Sequence, residues 1–388
     1  MTTQPVSEEG DKKGKRAIIE NESYFKIDPE FLSNLAAKIV TDCLGVKPGE
    51  NVTIETWNHG LEIAREFAFQ VRKKGAHPLL MLEDENNFWR AATEIPPDRL
   101  GKVGKHEWAM LQKTDAYIFL PGPEHQDRLD DLPEDISDRL FGYGEEWYKR
   151  ARKYRIRGLR IGFGYMNNKR AKKLGVDFDK WVDEELKAYD VDYPKLEKEG
   201  KKLSKILKNG KKVRITQSNG TDLKFRLRKS KGNPLMDVGV MKDQYDPKKG
   251  QTYSVLTNLP SGSVLTVPKE DSAKGVINFN LPSPSGKDFA HDISLTFGKN
   301  GLVSKYSGGQ NFNKGFKEKF EAEAKKDKGR IALFSVGVNP KQKIGFGYDD
   351  SSEGVVLLGI GHYSYGDRNK TEFQFYGLIG EATVTVDG

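Results

Sequence analysis

Short apolar segments alternate with amphipathic helical stretches through the first half of this sequence, and past residue 209 that rhythm gives way to β-type patterning. Four segments are short apolar runs of strand length: NVTIET from Asn51, PLLMLE from Pro78, DAYIFLPG from Asp115 and LRIGFG from Leu159. PEFLSNLAAKIVTDCLG precedes the first with apolar residues at helical spacing and a closing glycine; LEIAREFAFQVRKKGA follows it. Further helices are expected over about 99–113 and 135–154, and 170–210 reads as mostly helical. A strand that hands over to a helix and then to another strand builds a parallel, doubly wound sheet. The expected first domain is therefore α/β with a doubly wound parallel sheet, over residues 21–208.

The second half is expected to be an α+β, sheet-rich domain over 209–388. KKVRITQSNGTDLKFRLRK alternates apolar and polar residues across a Ser-Asn-Gly turn and predicts a hairpin. Further β runs follow, and a single helix is expected over 312–328. Residues 1–20, which begin MTTQPVSEEGDKKGKR, are too polar to pack and are expected to be a disordered tail; they also lack the apolar stretch of a secretory signal. One cysteine, Cys43, excludes an intramolecular disulfide and any multi-cysteine metal site. Without a long apolar run no membrane span is expected, and the chain reads as cytoplasmic. The net charge of +8 raises nucleic acid as a partner, but the lysines of residues 195–214 alternate with glutamates over an apolar helix face. No recognition motif accompanies them, and nucleic acid is not the expected partner.

Several blocks of the second half, in order, resemble the aminopeptidase T-like family of metallopeptidases. VRITQSNGTDLKFRL is similar to its strand–turn–GTDL–strand unit. NLPSGSVLTVP, IALFSVGVNP, GVVLLGIG and the closing EFQFYGLIGEATVTVDG are similar to the four blocks that hold its metals. The resemblance implies a Rossmann-like first domain, a metal-binding second domain, a homodimer around a shared cavity, and an N-terminal exopeptidase using two divalent metals. In the family these blocks carry a Glu, a Glu, a His and a His-x-Asp. Here the same columns hold Ser263, Leu333, Leu357, and Phe373 with Phe375. A hydrocarbon side chain cannot ligate a cation, and a serine is at best a weak neutral ligand. Shifting the last block by one residue substitutes Gln374 and Tyr376, which are no better. No metal and no other cofactor is therefore expected. A related branch of the fold that holds one iron through His and Asp fails on the same columns.

The polar chemistry that remains is sparse. His362 opens the loop HYSYGDRN just past the block that should carry a metal-binding histidine, with Tyr363 and Tyr365 beside it; His291 interrupts an apolar run. His362, Tyr365 and His291 are the candidate catalytic groups, for proton transfer without a metal. Ser263, Leu333, Leu357, Phe373, Phe375 and Tyr363 are the candidate ligand-binding set, either filling the former site or receiving a small apolar or peptide-like ligand. Trp57, Asn58, His59, Glu124 and His125 follow the first and third strands, at the sheet end where such folds bind ligands. There is no Walker A loop, complete dinucleotide fingerprint, HExxH pair or nucleophile elbow. Four readings stay open: a scaffold that has lost its metals, a metal-independent enzyme, an active aminopeptidase with unusual ligands, and a structural or assembly subunit.

Overall fold

The computed structural model describes residues 27–229, 234–241, 255–285, 288–347, 349–363 and 369–387. The expected tail over 1–20 lies outside these residues, as does Tyr365.

Asp28 starts the first helix, α1 (Pro29–Lys38), by accepting the Phe31 N–H, with Pro29 at the first helical position. The chain continues through β1 (Asn51–Trp57), α2 (Leu61–Lys73), β2 (His77–Glu83), α3 (Glu85–Glu94), α4 (Lys105–Lys113) and β3 (Ala116–Phe119). Next come α5 (Glu134–Leu140), α6 (Gly144–Tyr154) and β4 (Arg157–Ile161). The one helix expected over 135–154 is two, interrupted at Phe141 to Tyr143. All four strands pair in parallel, in the order β2-β1-β3-β4. Their period of two sorts the side chains between faces. Val52, Ile54, Ile118 and Leu159 enter a core with α1 and α2, whereas Tyr117 and Phe119 pack the opposite way with Leu111 of α4 and Ala151 of α6.

Three helices lead away: α7 (Asn168–Leu174), α8 (Phe178–Tyr189) and α9 (Tyr193–Asn209). Each is started by a capping side chain, Asn167, Asp177 and Asp192. The predicted hairpin is present as β5 (Lys212–Gln217) and β6 (Thr221–Arg226), followed by β7 (Leu235–Asp237). The next strand, β8 (Leu256–Leu259), does not join them. It pairs in parallel with β4 and becomes the fifth strand of the first sheet. Gly158 permits the approach, because a Cβ there would meet Leu256 Cδ2 at 2.3 Å.

The remaining elements are β9 (Ser263–Thr266), β10 (Lys274–Asn278), β11 (Ser283–Ser285), β12 (Asp288–Ala290), β13 (Ser294–Phe297) and β14 (Val303–Ser307). They end with α10 (Glu318–Ala322), β15 (Ile331–Gly337), β16 (Val356–Gly361), β17 (Gln374–Ile379) and β18 (Thr383–Val386). Beside a two-stranded ribbon, β11-β12, two larger antiparallel sheets result among the described residues, β14-β13-β10-β6-β5-β18 and β17-β16-β15-β9-β7. They share one apolar core, in which Phe225 of one sheet meets Phe334 of the other edge-on with ring centres 5.2 Å apart. The helix expected over 312–328 stops at Ala322. Glu323 turns extended there, and its carboxylate accepts the N–H groups of Lys325 and Glu372 and the Thr371 hydroxyl. Those hydrogen bonds pull its carboxyl down to about 2. The architecture is thus mixed α/β, one parallel sheet with antiparallel sheets beside it. No described helix is long and apolar enough to cross a membrane.

Candidate functional site

Strands β9, β15, β16 and β17 lie side by side, so alternate residues along them form two faces. Val264, Phe334, Val356, Leu358, Ile360 and Phe375 enter the core between the sheets. Leu265, Leu333, Leu357 and Tyr376 form the outer face, where they close with Ala332, Val267 and Tyr363 into a separate apolar cluster. Leu333 and Tyr363 are buried within it, at 5 % and 8 % exposure.

The structure therefore divides the ligand-binding set expected from the sequence. Leu333, Leu357 and Tyr363 come together, and Ser263 lies buried at the start of β9, paired with Asp237 of β7. Phe373 and Phe375 do not join them. Both point into the core, edge-on to Phe316 with ring centres 5.6 and 5.0 Å away. The reason is one of phase: a one-residue step along a strand reverses the face. The β17 side chains on the side of Leu333 belong instead to Gln374 and Tyr376. Gln374 Nε2 donates to the Tyr376 hydroxyl oxygen, and to the His362 carbonyl at 3.3 Å. Leucine, tyrosine, glutamine and serine do not fit a pair of divalent metals, which need carboxylates or imidazoles.

The two candidate catalytic histidines hang from different sheets. His362 is exposed beyond β16, its N–H donating to the Phe373 carbonyl at 2.7 Å. His291 precedes β13 and is held by backbone bonds to Gln310 and Gly309. The third candidate, Tyr365, lies outside the described residues.

A second constellation stands at the carboxyl ends of β1, β2 and β3. The strand order reverses between β1 and β3, the kind of switch point beside which parallel sheets ordinarily bind ligands. Among the described residues, one group of three potential metal ligands lies within reach of a single ion: His59, Glu85 and Glu124, with ligand atoms all within 4.8 Å of one another. Glu85 is its buried centre. One carboxylate oxygen accepts Trp89 Nε1 at 2.8 Å and the His125 N–H at 3.1 Å, with His125 Nδ1 at 3.0 Å; the other accepts the Glu124 N–H at 3.0 Å. Burial pushes the Glu85 carboxyl up, yet these donors together hold it below its ordinary value. Asn58 completes the clasp, accepting the Glu85 N–H and donating to Asp84. His59, Glu124 and His125 were each legible in the sequence; Glu85 was missed. The rule that singled out residues after the first and third strands finds it directly after the second.

The positive charge noted in the sequence concentrates elsewhere, around a cleft of about 740 Å³ bordered by Lys208, Lys211, Arg226, Lys269 and Arg330. Arg228 at its wall is ion-paired with Glu270.

A family model described as thermophilic metalloprotease (M29) matches residues 29–314. Two solved structures share the fold. Wild-type AmpT from Thermus thermophilus is 14% identical with a TM-score of 0.63, over 92% of this chain and 95% of that one. The 2,5-dihydroxypyridine dioxygenase from Pseudomonas putida KT2440 is 13% identical with a TM-score of 0.59, over 93% and 95%. No curated protein matches the chain.

Proposed function

Because the chain belongs to the thermophilic metalloprotease (M29) family, we propose that it is a member whose antiparallel sheet no longer holds the family's two metals. On this reading it acts as a ligand-binding scaffold, with a small-molecule or peptide-like ligand and a Rossmann-like first half. One observation carries the reading: the outer face of β9, β15, β16 and β17 is closed by Leu265, Leu333, Leu357, Tyr363 and Tyr376 packed on one another. The parallel order with its reversal between β1 and β3 supports the second element.

A second reading is favoured by the cluster of His59, Glu85 and Glu124. One imidazole and two carboxylates are a workable set for a single zinc, manganese or iron ion. Against it stands the occupation of Glu85, whose oxygens already receive four hydrogen bonds.

Elemental mass spectrometry separates the two, after exposure to zinc, cobalt, manganese and iron followed by desalting. The scaffold reading expects no stoichiometric metal and no release of amino-terminal residues from peptides. About two equivalents per chain, the content of a two-metal site, would overturn it. About one equivalent, abolished in Glu85→Gln, would establish the second reading. In either case Glu85→Gln is expected to cost about 1–2 kcal/mol in urea unfolding, because charge-assisted hydrogen bonds become neutral ones. An unchanged unfolding midpoint would show that the clasp does not hold the loop.

A further inference from the structure

On the face of the parallel sheet opposite α1 and α2, β1 and β3 floor a cleft of about 390 Å³. Its walls are unusual in composition: seven of the fourteen lining residues are aromatic. Trp57, Tyr117 and Phe119 rise from the strands, and Phe141, Tyr143 and Trp147 descend from the junction of α5 and α6. The rings stand at steep angles to each other, Tyr117 to Trp147 at 77° and Trp147 to Tyr148 at 82°, with centres 5.1 and 5.2 Å apart. Gly122 lets the loop after β3 press on the Trp57 ring, where a Cβ would sit 2.4 Å from the ring.

Among these rings stands a carboxylate. Glu55 of β1 lines the cleft and accepts a short hydrogen bond from the Tyr117 hydroxyl. Glu83 is the cross-strand partner of Trp57, two residues along β1 from Glu55 and on the same face. Glu107 comes from α4, which packs over that face, and the charges of Glu83 and Glu107 both act on Glu55. Arg160 is the cation in the wall, and it lies over the Phe119 ring, 5.3 Å from its centre. Three carboxylates against one guanidinium leave the region electronegative. Aromatic faces add to that, since their quadrupoles attract positive charge.

We propose that this cleft binds an organic cation, an alkyl- or quaternary ammonium group, seated against the aromatic rings with Glu55 as its counter-ion. The cavity falls within the size range of small-molecule sites, about 300–1,000 Å³, and has the usual mixture of apolar wall and few convergent polar groups. A neutral apolar ligand would leave the three carboxylates repelling one another. An anion would meet Glu55 directly and feel the charge of the other two. An ammonium group relieves the repulsion and replaces lost hydration with ring faces. The inference deepens the ligand-binding reading by naming a ligand class and a place.

The test is calorimetric titration of the full chain with tetramethylammonium and n-hexylammonium, with hexan-1-ol and hexanoate as neutral and anionic counterparts, all in EDTA. The ammonium probes are expected to bind saturably, with n-hexylammonium about tenfold or more tighter than hexan-1-ol, or roughly 1.4 kcal/mol. Glu55→Gln, which keeps shape, is expected to weaken n-hexylammonium about tenfold and so remove that preference. Burial, partly offset by the Tyr117 hydrogen bond, pushes the Glu55 carboxyl up to about 7. Amine binding should therefore strengthen as pH rises through about 7, with a proton released on binding. The groups facing Glu55 are Tyr117, Tyr143, Glu83, Glu107 and Arg160. Equal affinity for hexan-1-ol, tighter binding of hexanoate, or no saturable binding of either ammonium would each overturn the proposal. None of these outcomes touches the metal-content result, so the two readings fail separately.

Discussion

Leu333→Glu, the substitution that writes a carboxylate back into one family column, is expected to destabilise the protein by about 3–5 kcal/mol instead of restoring a ligand. Leu333 is 5 % exposed and packs in a cluster with Ala332, Leu265 and Leu357, none of which could pair with a charge. A carboxylate placed there loses its water and finds no cation. The sign with pH follows from linkage. Burial raises the introduced group's pKa above its unfolded value, so the folded state binds the extra proton and the penalty shrinks as pH falls toward about 4. Urea unfolding at about pH 7 and pH 5 measures both parts. Stability equal to the parent at neutral pH would show that this face is open to water or already holds a cation. Adding Leu357→His should cost less than the first change, since Leu357 is only partly buried.

Native stability is itself expected to be highest near pH 5 and to fall on the order of 3 kcal/mol by pH 8. Three carboxyl groups set the direction. Burial, and behind it the charge of Asp350, raises Asp237 to about 7; burial raises Asp349 to about 6; burial also dominates at Glu55, raised to about 7. Each binds a proton more tightly folded than unfolded. Each therefore contributes stability that is complete below the ordinary carboxylate range and is lost as pH rises through its folded value. Lowered groups work the other way. Glu85 and Glu323 contribute above that range and lose their contribution in acid, which places the maximum between the two sets. Asp237→Asn should flatten the fall, because its amide oxygen can still accept from the Thr257 hydroxyl and the Asn258 N–H. A stability curve that climbs steadily to pH 8 would contradict the assignment.

What could be read in the sequence depended on how local the information was. β1 to β4 were legible because each is a short apolar run between helical stretches of a different period, so pattern and propensity agree. β8 was not, since LTNL is short and half polar and its partner β4 lies far back along the chain. On the outer face a single residue makes the difference: Phe373 and Phe375 stand one step from Gln374 and Tyr376, and only the sheet's register decides which pair faces outward. A rule about parallel sheets singled out His59, Glu124 and His125 after β1 and β3, and Glu85 was missed by not carrying the rule to β2. Glu55 was hidden for another reason. A glutamate in NVTIET reads as the polar half of an alternating strand, and nothing local reveals the aromatic helices that later cover it.

The placement of β8 also bears on how the molecule is made. A nascent chain emerges amino end first, and its units ordinarily collapse in that order. Here the parallel sheet has an open edge at β4 until the hairpin β5–β6 has been synthesised and the chain has doubled back. Neither half can finish ahead of the other on the ribosome. The same threading ties the halves together afterwards: a protease cut in the junction after α9 would sever the backbone yet leave β8 inserted, and the two fragments should travel as one particle until denatured.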